Sequence, residues 1–238
     1  MLMTKEQQVY KQLVKVYDPE LDQPLTELGF IDHTKIHDDQ VEVVFRLPTY
    51  WCSPNFAFIM AEDIRTCVSR LEWVREVKVN LIDHCASDEI NQGVSKGKRF
   101  SESTSQFGAS DGDLDELRRT FQIKAFYARE EKLIKHLLAA GWSNEAILAM
   151  TLEQLHELPL SEEGSGMREA YLEKKAQLHH SGVQAFTTPE GDALTLEGFS
   201  DYLLGAKRTR LSMEFNGHYC RGLLEARYDL EATGTEMS

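Results

Sequence analysis

The spacing of apolar residues changes across a glycine- and serine-rich segment, residues 91–112, which holds four glycines and five serines. Before this segment, apolar and polar residues alternate in several short runs, the period of a half-buried strand. After it, apolar residues recur every three or four positions, the period of an amphipathic helix. The sequence therefore predicts an α+β domain at residues 1–90, a flexible linker at 91–112 and a helical, partner-binding region at 113–238.

The first part is predicted to contain a three-stranded sheet and two helices. The strands are expected near residues 31–37, 41–47 and 75–82, and the first two form a hairpin. One helix begins at Thr4, whose side chain can cap it, and the other covers residues 55–71. The predicted order is helix, hairpin, helix, strand.

Composition argues against several classes of protein. The net charge of -13 is unlike that of a general nucleic-acid binder, because phosphate contacts need Lys and Arg. No apolar run approaches the roughly 20 residues of a membrane span, and the N-terminal residues lack the apolar stretch of a secretory signal. We therefore expect a cytoplasmic protein without nucleic-acid or membrane partners, whose four cysteines are free thiols.

Cys52 lies where a predicted strand end meets a predicted helix start, in the segment Leu47–Asn55. Unpaired backbone N–H groups and the helix dipole at such a position favour a thiolate. The thiolate is the form of cysteine that binds metal or acts as a nucleophile. The alternative interpretation is a buried structural cysteine in a tight loop.

A second candidate follows the third predicted strand, where His84 and Cys85 are adjacent. Loops at one edge of a sheet tend to converge, which would bring Cys85 near Cys52. Two thiolates and one imidazole suit zinc or an iron–sulfur species, so Cys52, Cys85 and His84 are the predicted metal ligands. A loop cysteine without a partner is the alternative, and no role is predicted for Cys220.

Motifs typical of several enzyme classes are absent from the sequence. There is no glycine-rich phosphate-binding loop. One Glu-x-x-His segment occurs, at Glu153–His156, but a di-iron helix bundle needs two. We therefore predict no hydrolase, kinase or dinucleotide-dependent enzyme.

Several segments of the first 90 residues together carry a family resemblance; they are Asp18-Pro19-Glu20, Leu25–Ile31, Val41–Leu47, Thr49-Tyr50-Trp51-Cys52 and Val77–Leu81. In this order and spacing they resemble the MIP18/DUF59 family, also called the SufT- and PaaD-like iron–sulfur assembly domain. In that family the cysteine after the second strand is the functional position. The resemblance therefore implies that Cys52 has this role.

The same resemblance implies that Asp18, Glu20 and Thr49 are neighbours of the Cys52 site. The two carboxylates have an alternative interpretation as loop-capping residues. The implied cofactor is iron or an iron–sulfur cluster, held transiently, with zinc as a further candidate.

Two positions depart from the family pattern. Ser53 separates Cys52 from Pro54, where the family has Cys-Pro. After the last strand the family often has Asp-Pro-Pro-Trp, whereas here His84 and Cys85 follow Asp83. The second departure removes an aromatic residue and adds a thiol.

The resemblance implies a non-enzymatic maturation factor that assists delivery of iron or an iron–sulfur cluster to a client metalloprotein. Because PaaD accompanies a multicomponent oxygenase, a di-iron monooxygenase is a candidate client. The expected partners are this client or other assembly factors, and a homodimer is left open. Two alternatives are a structural adaptor that binds a partner through its helices without metal chemistry, and a thiol-redox enzyme that uses Cys52 with Cys85.

Overall fold

The computed structural model describes residues 3–103, 111–178 and 182–230. The chain divides into two compact units. The first unit holds residues 1–117 and 215–238, and the second unit holds residues 118–214. In the described ranges, no helix combines the length and the apolar character that crossing a membrane requires.

The elements are α1 (Lys5–Leu13), β1 (Tyr17–Asp18), β2 (Gln23–Pro24), β3 (Ile31–His37), β4 (Gln40–Arg46), α2 (Pro54–Val68), β5 (Glu76–Ile82), α3 (Ser87–Ser95), α4 (Phe100–Ser103), α5 (Asp111–Ala139), α6 (Asn144–Ala149), α7 (Leu152–Glu157), α8 (Glu162–Gln177) and α9 (Phe199–Tyr228). The predicted fold class, a small mixed domain followed by a mostly helical region, is confirmed. β1 and β2 form an additional short antiparallel pair that was not predicted.

The sheet of the first unit has the order β3-β4-β5. β3 and β4 form an antiparallel hairpin, whose turn places Asp38 in the left-handed region at φ 54°. β5 pairs with β4 in parallel, so that Val43 of β4 lies opposite Val79. A parallel pair needs a crossover connection, and α2 provides it. The parallel pairing brings the carboxyl ends of β4 and β5 to the same edge of the sheet.

Apolar periodicity accounts for how the helices cover this sheet. α1 begins with a capping box between Thr4 and Gln7, and it buries Val9 and Leu13. α2 contacts α1, α3 and β5, and its apolar side chains belong to one core with the inward-facing residues of β4 and β5. Burial of these faces is the main source of stability for such elements.

The segment 91–112, predicted as a flexible linker, begins inside α3 and includes α4. Val94 and Phe100 from this segment are buried in the core of the first unit. The ring of Phe100 packs edge-on against Phe58 of α2, with 5.3 Å between the ring centroids. Residues 104–110 of the predicted linker lie outside the described residues.

The end of α9 is part of the first unit. Leu224 lies in its core, and Cys220 and Tyr228 pack against that core. α9 approaches β2 closely, since a Cβ atom at Gly217 would lie 2.8 Å from Nε2 of Gln23. The first unit therefore contains residues from both sides of the domain boundary that the sequence predicted at residue 113.

The second unit is helical and has its own core, which contains one fully buried carboxylate, Glu130. Its Oε1 atom accepts hydrogen bonds from the Tyr171 hydroxyl at 3.0 Å and the Thr187 N–H at 3.2 Å, and its Oε2 atom accepts one from the Tyr202 hydroxyl. Burial raises the pKa of Glu130 to about 7. With both oxygens bonded, this group is a satisfied polar network within the core.

The contribution of α9 to the first unit can be measured with Leu224→Ala. Because Leu224 is 2% exposed, the substitution should lower the free energy of unfolding by about 2–5 kcal/mol. The matched control is Leu211→Ala on the same helix, where Leu211 is 47% exposed and the expected change stays within about 0.5 kcal/mol. Urea unfolding followed by circular dichroism gives both values. Equal effects of the two substitutions would contradict this packing.

Candidate functional site

Cys52 lies in the loop between β4 and α2, two residues before Pro54, the first residue of that helix. Its side chain is partly buried. The Sγ atom lies 3.3 Å from the Thr49 hydroxyl, within hydrogen-bond distance. The structure therefore places Thr49 in contact with the thiol.

The loop that follows β5 holds the Cys52 loop in place through two hydrogen bonds. Nε2 of His84 donates to the Cys52 carbonyl at 2.7 Å, and the N–H of Cys85 donates to the Tyr50 carbonyl at 3.0 Å. Because β4 and β5 run in parallel, the loops after them converge at one edge of the sheet, as the sequence predicted for these two loops. The cysteine main chain is thus fixed on a scaffold of two strand ends.

His84 uses both ring nitrogens within the protein. While Nε2 donates to Cys52, Nδ1 accepts the N–H of Ala86 at 3.2 Å. The residue is 4% exposed, and this burial lowers the pKa of His84, an effect to which Arg227 adds. A neutral imidazole bonded at both nitrogens has no lone pair left for a metal.

The predicted ligand set of Cys52, Cys85 and His84 is not assembled as a metal centre. Across the described residues, no three His, Cys, Asp or Glu side chains come together in a way that could hold a metal ion. The role of His84 that the structure shows is to position the Cys52 loop.

On its other side, Cys52 faces a cavity of about 190 Å³ that Asp18 and Glu20 also line. Oδ1 of Asp18 accepts the backbone N–H groups of Glu20 at 2.9 Å and Leu21 at 3.0 Å. Asp18 is therefore a loop-capping residue and a neighbour of the thiol at once. Burial raises the pKa of Asp18 to about 6.

Cys220 of α9 lines the same cavity and was missed by sequence reasoning. Burial, followed by the nearby Asp18, Cys52 and Glu20, raises the pKa of this thiol to about 11. The second cysteine beside Cys52 in this cavity is thus Cys220, whereas Cys85 is not among the lining residues. No motif around Cys220 indicates this position, since only the fold of α9 brings it there.

The end of α9 is bonded to both strand ends that carry the site. Arg227 donates from Nη1 to the Leu47 carbonyl at 3.0 Å and from Nη2 to the Asp83 carbonyl at 2.7 Å. The Tyr228 hydroxyl donates to the Asp83 carboxylate at 3.1 Å, and the guanidinium of Arg46 lies 4.3 Å from the centroid of the Tyr228 ring. These contacts hold α9, and with it Cys220, against the site.

Comparison with known families assigns the N-terminal part. The family described as iron-sulfur cluster assembly protein matches residues 6–81, less than half of the chain. This match confirms the resemblance of the N-terminal part to the MIP18-like assembly domain and supports a role in iron–sulfur cluster assembly. It includes Cys52, whereas Cys85 and Cys220 lie beyond it. No curated protein matches the chain.

Different burial of the thiols predicts different reactivity. Cys67 is 9% exposed and burial raises its pKa, and the pKa of Cys220 is raised further, so both hold little thiolate near neutral pH. We expect iodoacetamide to label Cys52 faster than either of them, because burial favours the unreactive thiol form of Cys67 and Cys220. Mass spectrometry of a labelling time course on the native protein measures the rates. Labelling of Cys67 as fast as Cys52 would refute the assignment of Cys52 as the reactive thiol.

The buried carboxyl of Asp18 should make stability depend on pH. Its folded pKa, about 6, is raised above the ordinary 3.8, so the folded state holds the proton more tightly and loses stability as pH rises through 6. Asp18→Asn keeps the acceptor Oδ1 but carries no charge. We expect the difference in free energy of unfolding between this variant and the wild type to grow by about 1 kcal/mol from pH 5 to pH 8, because the wild type completes its loss of stability over this range. Urea unfolding at both pH values tests this, and the same difference at pH 5 and pH 8 would contradict it.

Proposed function

We propose that this protein is a non-enzymatic maturation factor that assists delivery of iron or an iron–sulfur cluster to a client metalloprotein, with Cys52 as the functional thiol. One observation carries the proposal. Cys52 lies within the segment that matches the assembly family, in a loop whose main chain is fixed by His84 and Cys85 while its thiol faces a cavity. A fixed main chain with an available sulfur suits a ligand that must accept and release metal.

An incomplete ligand set supports transfer rather than storage. A closed tetrahedral site with four protein ligands holds its metal as part of the fold, whereas a site with open positions exchanges ligands. Among the described residues no three potential ligands are arranged so that they could hold a metal ion, which leaves positions for the client to fill.

The residues next to Cys52 support docking of a protein at this loop. Trp51 is 77% exposed and Tyr50 is 47% exposed, and their rings meet edge to face with 4.9 Å between centroids. Tyr and Trp are enriched at the centres of protein interfaces. We propose that the client binds over this aromatic pair and so reaches the adjacent thiol.

We propose a di-iron monooxygenase as the first client to test. The support is the resemblance to PaaD-like proteins, which accompany a multicomponent oxygenase. The second unit has a core of its own, which suits a module that recognises one particular client.

A structural adaptor is the second candidate function. It is favoured by the same observation on ligands, because the described residues form no complete metal site. An adaptor would bind its partner without taking up iron, so the two candidates differ in a measurable property.

Anaerobic reconstitution with ferrous iron and sulfide, followed by mixing with an apo-metalloprotein acceptor, tests the proposal. We expect the wild type to gain visible absorbance and to pass iron to the acceptor, and Cys52→Ser to lose both. Cys67→Ser is the matched control and should retain both, because Cys67 packs in the core. Trp51→Ala should retain uptake but slow transfer.

Two outcomes would contradict the delivery function. If the wild type binds its client but takes up no iron, the adaptor is the correct function. If Cys52→Ser transfers iron as the wild type does, Cys52 is not the functional thiol.

A further inference from the structure

The ionisable groups that line the cavity beside Cys52 are all thiols and carboxyl groups. Its lining residues are Asp18, Glu20, Leu21, Phe30, Leu47, Pro48, Cys52, Ser53, Phe56, Met60 and Cys220. Two thiols and two carboxyl groups are therefore present, and none of these lining residues is Lys, Arg or His. Such a wall lacks the positive charge that an anion would require, and it suits a cation with affinity for sulfur.

The carboxyl group of Asp18 has one oxygen that can accept a further bond. Asp18 is only 7% exposed, and both of its hydrogen bonds, from the N–H groups of Glu20 and Leu21, are made to Oδ1. Oδ2 receives no hydrogen bond from the residues described. Oδ2 is not one of the fully buried atoms that lack a partner, so the remaining exposure of this oxygen allows a cation in the cavity that Asp18 lines to approach it.

Cys220 is held at this cavity by contacts on both sides of it along α9. Before it, Gly217 allows the helix to approach Gln23. After it, Leu224 is buried in the core and Arg227 bonds the carbonyls of both strand ends. The position of the second thiol is therefore built into the packing of the first unit.

We propose that Cys52 and Cys220 together bind one thiophilic divalent cation in this cavity. The choice of Fe²⁺ as that cation rests on the proposed function, whereas the pair of sulfurs rests on the structure alone. Two thiolates leave two positions of a tetrahedral centre, and a cavity of about 190 Å³ has room for water molecules of roughly 30 Å³ each to occupy them. The second sulfur comes from α9, outside the segment that matches the assembly family.

Anaerobic titration of the full chain with Co²⁺ alone tests the pair, because the near-ultraviolet charge-transfer band from sulfur to cobalt grows with the number of thiolate ligands. We expect one Co²⁺ per chain in the wild type. Cys220→Ser should lose about half of the band intensity and at least tenfold in affinity. Cys85→Ser and Cys67→Ser are the matched controls and should leave the band and the affinity unchanged.

Alkylation provides a second readout that does not depend on the spectrum. Bound Co²⁺ should protect both Cys52 and Cys220 from iodoacetamide, as read by mass spectrometry, and should leave the labelling rate of Cys85 unchanged. Cys220→Ala, with its folding checked by circular dichroism, repeats the titration without introducing a hydroxyl group. The proposal requires that Cys220→Ser and Cys220→Ala lose the same fraction of the charge-transfer band.

The proposal is overturned if Cys220→Ser and Cys220→Ala keep the full band, or if Cys85→Ser loses half of it. Its failure is distinguishable from failure of the proposed function. If Cys52→Ser abolishes iron transfer while the Cys220 variants bind Co²⁺ normally, the delivery function is supported and the proposed pair of thiol ligands is refuted. If both cysteines bind Co²⁺ but transfer of iron is independent of them, the cation site is supported and the delivery function is refuted.

Discussion

Parallel pairing of β4 with β5 is the constraint on which the site depends. It places the ends of both strands at one edge of the sheet, so that the loop carrying Cys52 and the loop carrying His84 become neighbours. Arg227 then bonds a carbonyl at each strand end. A guanidinium with several donors in a fixed plane suits such a double contact. The geometry around the thiol thus follows from backbone pairing and from the hydrogen bonds of one partly buried arginine side chain.

The two sides of Cys52 have different physical roles. Toward His84, every polar group of the contact is satisfied within the protein, which fixes the loop and excludes metal from the imidazole. Toward Asp18 and Cys220, the cavity carries thiols and carboxyl groups without a compensating cation among its lining residues. A fixed loop on one side and acidic groups without a neighbouring cationic residue in the cavity lining on the other is an arrangement suited to binding a metal without enclosing it.

Sequence patterns predicted local structure well, because short-range periodicity decides it. Alternation in Val41–Leu47 and the apolar spacing of residues 55–71 predicted β4 and α2 to within a few residues. The prediction of Cys52 as the functional thiol also came from local features, a strand end and a helix start. Residues 91–103 were predicted less well, since glycine and serine suggested a linker where Val94 and Phe100 are buried by tertiary packing.

The sequence by itself determined the mixed domain, the helical region and the candidate thiol, since each depends on neighbours along the chain. Tertiary structure alone decided which groups surround that thiol. Cys220 lines the same cavity as Cys52 only because the end of α9 belongs to the first unit, and no local pattern encodes a shared cavity for residues so far apart in sequence. His84, predicted as a ligand from its chemistry, is bonded instead at both nitrogens, because burial selects partners by geometry rather than by residue type.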